Sequence, residues 1–174
     1  MSTQTAATND VDLSIIGELA EKIQTEPATA QTTWQARTEW KGGFKSASHV
    51  RDHAPILTDE PEALAGANTA PNPVELVLAA LGSCLTVGYA AAATGQGIEL
   101  RSLEVDVKGD LDLHVFLGLR EGHAGYGNIE VTTSIDSDAD ESALQALHEA
   151  VIATSPVGHT LEHPIEVRAT VTKV

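Results

Sequence analysis

Residues 72 to 97 constrain the fold more than any other stretch, because they read as one long and almost wholly apolar helix. Asn72 is a favoured N-cap, Pro73 takes the first helical position and Glu75 the third, a pattern that predicts a capping box. Two glycines near the far end, the second of them Gly97, predict where the helix stops. A soluble helix that is apolar on all faces belongs in the middle of a fold, covered on every side.

The same run is long enough to cross a bilayer, which takes about 20 apolar residues. We favour a soluble core helix instead, because small and polar residues interrupt the run and no Lys or Arg flanks it. The run also carries the chain's one cysteine, Cys84. A lone cysteine in such a helix is commonly a small hydrophobic side chain, and the alternative is a reactive thiol.

Composition narrows the class of protein. A chain of 174 residues predicts one domain that can bury a core without disulfides. The net charge of −15 argues against nucleic acid and anionic membranes as partners, and it fits either a high-salt cytoplasm or plain solubility. One cysteine excludes an intrachain disulfide, and the polar start lacks a signal peptide, so we expect a cytoplasmic protein.

The rest of the chain predicts short strands and two further helices. Residues 1–10 are expected to be disordered, residues 12–24 carry an apolar stripe at helical spacing, and residues 51–71 read as a long irregular loop. Glu141–Thr154 predicts an amphipathic helix with Asp140 as its N-cap. Because the strands come in runs without helical crossovers, we expect an α+β fold with a largely antiparallel sheet of about six strands. The clearest predicted strands are 32–41, 44–50, 102–108, 129–135 and 165–171.

Three stretches together resemble one known family. The helix and the strand after it read NPVELVLAALGSCLTVGYAAAATGQGIELRSLEVDVKGDLDL, the segment before them RDHAPILTDEPEALAG, and a later segment SPVGHTLEHPIEV. They are similar to the OsmC/Ohr family of hydroperoxide-reducing proteins, in a branch with a single cysteine. The resemblance implies an OsmC-like α+β fold in which a mostly antiparallel sheet wraps a long buried central helix, within an intertwined homodimer. It divides the chain into residues 1–30, a disordered start plus an amphipathic helix, and residues 31–174, an OsmC-like domain.

The resemblance also assigns roles around the thiol. Active members of the family use two cysteines, and the first, which attacks the peroxide, matches Cys84. The second lies at the end of the last helix, and its position here is Ser155, before Pro156. Serine cannot close the disulfide, so turnover would need an external thiol reductant, and no cofactor is expected.

Cys84 needs help to ionise, because the thiolate is the nucleophile. It lies twelve residues past the N-cap, roughly 18 Å along the axis, which is far beyond the reach of the helix dipole. The resemblance implies an arginine from the region before the helix, for which Arg51 is the first candidate and Arg37 the second. His53 is a candidate base or donor. The alternative for each of these side chains is a loop residue that faces water.

Glu75 is a candidate because the family places a glutamate at the helix start, directly after proline, where this chain has Val74. Nine residues separate Glu75 from Cys84, which is about 900° of rotation and about 13.5 Å of rise. The two side chains cannot meet on one straight helix, so contact would need the second subunit or Arg51 between them. A capping role explains Glu75 without catalysis, and both interpretations remain open.

Other chemistries find less support. His159 and His163 are four residues apart, but Pro164 and the turn-like sequence around it argue against a helix there. No thiol or clustered carboxylate accompanies the two histidines, so we expect no metal site. A serine hydrolase is disfavoured because the chain has no G-x-S-x-G sequence.

Two functions remain. The first is a one-cysteine peroxidase that reduces organic hydroperoxides in oxidative stress defence, with Cys84, Arg51, Glu75 and His53 in its site. The second is a non-catalytic protein that binds a small apolar ligand at the dimer interface. Both predict a homodimer without nucleic acid or membrane partners, and the first adds a small hydrophobic peroxide and a thiol reductant.

Overall fold

The computed structural model describes residues 8–173, which form two compact units. The N-terminal unit comprises Asp12–Ala79. The C-terminal unit comprises residues 8–11 and 80–173. The chain therefore leaves this unit after residue 11 and re-enters it at residue 80. One long helix begins in the first unit and continues into the second. The division proposed from sequence, at residues 30 and 31, stays a prediction.

The N-terminal unit contains an exposed helix and a small antiparallel sheet. No residue of the helix is buried. The sheet has three strands that pair in chain order. The elements are α1 (Ser14–Thr25), β1 (Arg37–Trp40), β2 (Ser46–His49) and β3 (Ile56–Thr58), with short 3-10 turns at Pro27–Ala30 and Glu62–Leu64.

The hairpin of β1 and β2 confirms the first two predicted strands in shorter form. Arg37 lies opposite His49, and Trp40 lies opposite Ser46. Between the strands the chain turns at a glycine pair, of which Gly42 has a φ of 92°. Only glycine adopts that angle without steric cost, which explains why the turn forms at this pair.

Strand β3 corrects the prediction that residues 51–71 are irregular throughout. It pairs with β2 from Ile56, opposite Ser48, to Thr58, opposite Ser46. Three residues are too few to show the alternation by which a strand is recognised in a sequence. Only the pairing with β2 identifies this segment as part of the sheet.

Asp59 follows β3 and organises the loop that leads to the long helix. Its side chain is almost fully buried. The carboxylate accepts hydrogen bonds from the hydroxyl of Thr69 (2.7 Å) and from the backbone N–H groups of Thr69 (3.0 Å), Glu60 (2.9 Å) and Ala67 (3.4 Å). The bonds from Thr69, above all the one from its hydroxyl, lower the pKa of Asp59 to about 2, since they favour the charged form.

The long helix α2 (Pro73–Gln96) has the start that the sequence predicts. Asn72 accepts a hydrogen bond from the Val74 N–H at 2.7 Å through its side-chain oxygen. Glu75 accepts one from the Asn72 N–H, also at 2.7 Å. This reciprocal pair confirms that Asn72 and Glu75 cap the helix as predicted, with the Asn72 side chain bonding the second helical N–H and not the third.

The end of α2 also agrees with the prediction. Gly97 has a φ of 69°, in the left-handed region. Its N–H donates to the carbonyl of Thr94 at 3.1 Å. The next N–H, that of Ile98, donates to the carbonyl of Ala93 at 2.8 Å. This is a Schellman motif, which most often places glycine at the left-handed position.

The C-terminal unit combines a two-stranded antiparallel sheet with the rest of α2 and three later helices. The strands pair along almost their whole length, with Leu103 opposite Ile135 and Val107 opposite Val131. The predicted helix with Asp140 as its N-cap is confirmed, because the Asp140 carboxylate accepts a bond from the Ala143 N–H at 2.8 Å. The elements are β4 (Ser102–Leu111), α3 (Leu113–Phe116), β5 (Tyr126–Asp136), α4 (Glu141–Thr154) and α5 (Pro156–Glu162).

One face of α2 forms the core of the C-terminal unit. Its buried residues recur every fourth position, which places them on one side of the helix. Gly88 lets α4 approach this helix closely, because a Cβ there would lie 2.9 Å from Cγ1 of Val151. The apolar residues that face inward from β4 and β5 pack against the same face. The buried core consists of Leu81, Leu85, Tyr89, Ala93, Leu147 and Val151.

Within residues 8–173, parts of the other faces of α2 stay exposed, and the expectation that a second subunit covers them stays a prediction. Val87 at mid-helix is 69% exposed. By length and composition alone α2 could cross a membrane, since an 18-residue window has a mean hydropathy of 1.8, and 22% of that window is buried. A core helix of a soluble protein meets the same criteria. The expectation that α2 is not a membrane span stays a prediction.

Two expectations about the chain ends are corrected. The strand predicted over residues 165–171 does not form in the described chain, and Ile165, Val167 and Val171 are 64%, 82% and 98% exposed. Thr8–Asp10, predicted to be disordered, is a 3-10 turn. Asn9 within it donates to the hydroxyl of Thr94 and the carbonyl of Ile98 and accepts from the Leu100 N–H. Residues 1–7 lie outside the described chain.

The α+β class, the antiparallel pairing and the long helix are therefore confirmed. The predicted sheet of six strands is replaced, within residues 8–173, by one sheet of three strands and one of two. The intertwined homodimer stays a prediction.

We expect Asp59→Asn to lower stability at pH 7, because an amide cannot accept all four hydrogen bonds that the carboxylate accepts. The pKa is lowered, so the carboxylate's contribution is complete above about pH 4 and is lost as the pH falls through about 2. Urea midpoints measured between pH 7 and pH 2 test this. Wild type and the control Asp106→Asn, at an exposed strand position, should both lose stability more steeply than Asp59→Asn. Parallel curves for all three would contradict the assignment.

Candidate functional site

The thiol of Cys84 lies against the hydroxyl of Ser155. The two residues are 71 positions apart in sequence, and Sγ of Cys84 lies 3.3 Å from Oγ of Ser155. Cys84 is half-buried, while Ser155 is 5% exposed. The position that the resemblance assigned to an absent second cysteine is thus the one that contacts the first.

Local structure fixes the place of Ser155. It ends α4 and is the N-cap of α5, where Oγ accepts a hydrogen bond from the Gly158 N–H at 3.1 Å. Pro156 takes the first position of α5, which suits proline because that N–H has no partner in a helix. The sequence Ser-Pro-Val-Gly therefore ends one helix, starts the next, and directs the serine side chain toward α2.

A cleft of about 350 Å³ opens beside Ser155. Aliphatic residues from α2, β5, α4 and α5 make up half of the residues that line it, and Tyr126, Asn128 and Glu162 add polar groups. Glu162 is the one charged residue among those that line it. Such a cleft can take a small, mainly apolar molecule next to the serine that contacts the thiol. The aliphatic residues are Leu81, Leu85, Ile129, Val131, Ile152 and Leu161.

The sequence did not reveal this cleft. Tyr126 and Asn128 lie in a stretch that reads as a turn but forms the start of β5. Glu162 belongs to α5, a helix that was not predicted. The one available signal was Pro156, which starts α5 as well as ending α4. Nothing in the spacing of residues shows which side chains from these elements meet.

The predicted activating residues all lie in the N-terminal unit. Arg51 follows β2 with a φ of 50°, and Arg37, in β1, forms an ion pair with Glu39 at 2.7 Å. Both arginines line an open groove of about 510 Å³, together with His49 among others. His53 is exposed. That these residues act on Cys84, in the other unit, stays a prediction.

Glu75 has a definite structural partner. Its carboxylate caps α2 through the bond to the Asn72 N–H, and the Asn72 side chain also donates to Glu60 at 2.6 Å. The capping interpretation is therefore confirmed, while the catalytic one stays a prediction.

The first of the two histidines near the chain end lies on a helix, and the second directly follows it. His159 is within α5 and His163 caps it, so the expectation that Pro164 prevents a helix here is wrong. Their rings stack with centroids 5.4 Å apart. Nε2 of His159 forms a hydrogen bond with the carbonyl of Ala153, and Nδ1 of His163 forms one with the carbonyl of His159. Within residues 8–173, no group of three metal-ligating side chains comes together.

A second cleft, of about 380 Å³, lies beside the buried Tyr89. The Tyr89 hydroxyl forms hydrogen bonds with Nδ1 of His148 and with the hydroxyl of Thr133. These bonds satisfy the polar end of an aromatic ring in the core, which is the usual requirement for a buried tyrosine. No sequence pattern pointed to this pair.

The chain belongs to the OsmC-like protein family, which matches residues 66–170, more than half of its length. It is a member with a single cysteine, as the resemblance indicated. No curated protein matches the sequence.

Solved structures show the same fold at low sequence identity. An OsmC like protein from Mycoplasma pneumoniae has a TM-score of 0.66 at 16% identity, over 76% of this chain and 89% of its own. An organic hydroperoxide resistance protein OsmC from Legionella pneumophila has a TM-score of 0.59 at 16% identity, over 75% and 91%. An organic hydroperoxide resistance protein from Elizabethkingia anophelis has 0.60 at 19% identity, over 78% and 94%. Likeness at these identities shows the fold, and activity must be argued from the site.

Substitutions at Glu75 separate capping from catalysis. We expect Glu75→Ala to cost about 0.5–1 kcal/mol of unfolding free energy, because the Asn72 N–H loses its partner. Glu75→Gln should recover part of that loss, since an amide oxygen can accept the same bond. Urea denaturation gives the stabilities, and the rate of Cys84 oxidation by cumene hydroperoxide gives the chemistry. A Glu75→Gln protein that is stable but no longer oxidised would show a catalytic role instead.

Proposed function

We propose that this protein is a one-cysteine, OsmC-like thiol peroxidase that reduces organic hydroperoxides. The observation that carries the proposal is the contact of Cys84 with Ser155, a residue that lines a partly aliphatic cleft. Membership of the OsmC-like family supports it, as do the names of two structural relatives, which are organic hydroperoxide resistance proteins.

The chemistry needs one sulfur and an external reductant. The Cys84 thiolate attacks the terminal oxygen of the peroxide, the O–O bond breaks, and an alkoxide leaves and takes up a proton to become an alcohol. The sulfur is oxidised by two electrons to sulfenic acid. A small thiol then forms a mixed disulfide with Cys84 and releases water, and a second thiol restores the Cys84 thiol. The aliphatic wall of the cleft suits the organic part of the peroxide.

Arg51 is the proposed cation of the site, with Glu75 and His53 as further candidates. Arg37 is engaged by Glu39 at 2.7 Å, whereas Arg51 has no ion pair within residues 8–173. An arginine without a carboxylate partner keeps its charge available for a thiolate or a peroxide oxygen. This favours Arg51 over Arg37 for the role that the family resemblance implies.

We also propose a homodimer, because α2 leaves a large aliphatic side chain at mid-helix uncovered within residues 8–173. Val87 is 69% exposed, and Ala79 and Ala80 earlier on the helix are exposed as well, so a second copy of the helix would bury aliphatic surface here. We expect light scattering after gel filtration to give twice the chain mass for wild type. Val87→Lys should move the protein toward one chain mass, while Leu119→Lys, at a residue 72% exposed outside α2, should not. A monomeric wild type would contradict the proposal.

The activity is tested by one turnover with cumene hydroperoxide, followed by a sulfenic-acid trap and intact mass. We expect rapid stoichiometric labelling of wild type and none of Cys84→Ser, since the chain has one cysteine. A cysteine peptide gives the rate of an unassisted thiol. Adding a small thiol after oxidation should give the mixed disulfide and then the free thiol.

Oxidation no faster than that of the peptide would contradict the peroxidase proposal. The second candidate function, binding of a small apolar ligand without catalysis, would then be favoured by the cleft of about 350 Å³ and its aliphatic wall. Displacement of a fluorescent apolar probe from Cys84→Ser would test that function independently of the thiol.

A further inference from the structure

The contact of Ser155 with Cys84 allows either side chain to donate, and a third group leaves the serine proton available for it. A serine hydroxyl has one proton to donate and two lone pairs that accept. The Gly158 N–H donates to Oγ of Ser155 at 3.1 Å, which occupies one lone pair. The other described partner of Oγ is the sulfur of Cys84, at 3.3 Å. The serine proton is therefore free to point at the sulfur.

Burial strengthens this bond. Ser155 is 5% exposed, so water has little access to compete for its hydroxyl. The N-cap bond also holds the serine in one orientation, and the donor is in place before the reaction starts.

The described residues that line the cleft beside Ser155 include no cation. Glu162, from α5, is the one charged residue that lines it, and Tyr126 is the other lining residue that titrates. The lining residues from α2 and α4 carry no charge. A carboxylate disfavours a second negative charge nearby, and the described side-chain group within hydrogen-bond distance of the Cys84 sulfur is the neutral Ser155 hydroxyl.

We propose that Ser155 is a catalytic residue that donates a hydrogen bond to the Cys84 sulfur and holds it as a thiolate for attack on the peroxide. This inference rests on the proposed peroxidase function. Ser155 keeps its proton throughout, while the S–O bond forms and the O–O bond breaks. The serine thus occupies the place of a second cysteine and supplies a donor instead of a disulfide.

The test is the rate of Cys84 oxidation by cumene hydroperoxide, measured against pH for wild type and three variants. Ser155→Ala removes the donor, and we expect about a tenfold or greater fall in rate at pH 7, as for loss of one hydrogen bond to a charged group. The rate–pH profile should move upward by about one pH unit. Ser155→Thr keeps the hydroxyl and should recover most of the lost rate.

Asp140→Ala is the matched control. It removes the N-cap of α4, as Ser155→Ala removes that of α5, but it does not touch the cysteine. Both variants should show lower urea midpoints. Only Ser155→Ala should change the rate and its pH profile, because a loss of capping alone has no reason to affect the sulfur.

Ser155→Cys tests the geometry separately. With side-chain atoms 3.3 Å apart, peroxide should convert the pair to an intrachain disulfide, seen as the loss of both titratable thiols and of the sulfenic-acid label. Absence of that disulfide would overturn the contact and the inference with it.

The outcomes separate the two proposals. Fast oxidation of wild type together with equally fast oxidation of Ser155→Ala would overturn the role of Ser155 and leave the peroxidase function standing. Slow oxidation of wild type, no faster than a cysteine peptide, would overturn both.

Discussion

The packing of one face of α2 is the interaction on which the C-terminal unit depends. Leu81, Leu85 and Tyr89 lie on that face and meet β4, β5 and α4. Cys84 directly precedes Leu85, so it sits at the edge of the packed face and not in its middle. Because Gly88 allows α4 to come close, the end of α4 arrives beside the thiol with Ser155 in contact. The site is therefore a consequence of how the core packs, and an error in that packing would separate its two side chains.

Much of the fold was accessible from the sequence, because its signals are local. Caps and glycine stops fix the ends of α2, and the apolar spacing of Glu141–Thr154 fixes α4, since each depends on residues within a few positions. Strand β3 could not be predicted, because three residues are too few to show the alternation of apolar and polar side chains that marks a strand. Residues 165–171 alternate as a strand should, yet no strand forms there within residues 8–173. Alternating apolar residues show that one face of a strand would be apolar. They do not show whether a partner strand is available to pair with it.

The candidate site was predictable in part, and for a different reason. Family resemblance named Cys84 and Ser155, because their surrounding sequences match known motifs. The orientation of Ser155 depends on the Gly158 N–H, a backbone group that no residue pattern marks. The cleft depends on four elements whose spacing in the chain is unrelated to their spacing in the unit. Sequence motifs therefore identify a reactive residue more readily than they identify the neutral groups that contact it and change its reactivity.

The hydrogen bonds of Asn9 have a topological consequence. They attach residues 8–11 to the end of α2, so the segment Asp12–Ala79 leaves and re-enters the C-terminal unit as an insertion. Its two ends stay tied while that unit is folded, which restricts the conformations open to it and reduces the entropy it gains on local melting. Trimming the chain from its N-terminus would turn this insertion into a free-ended extension.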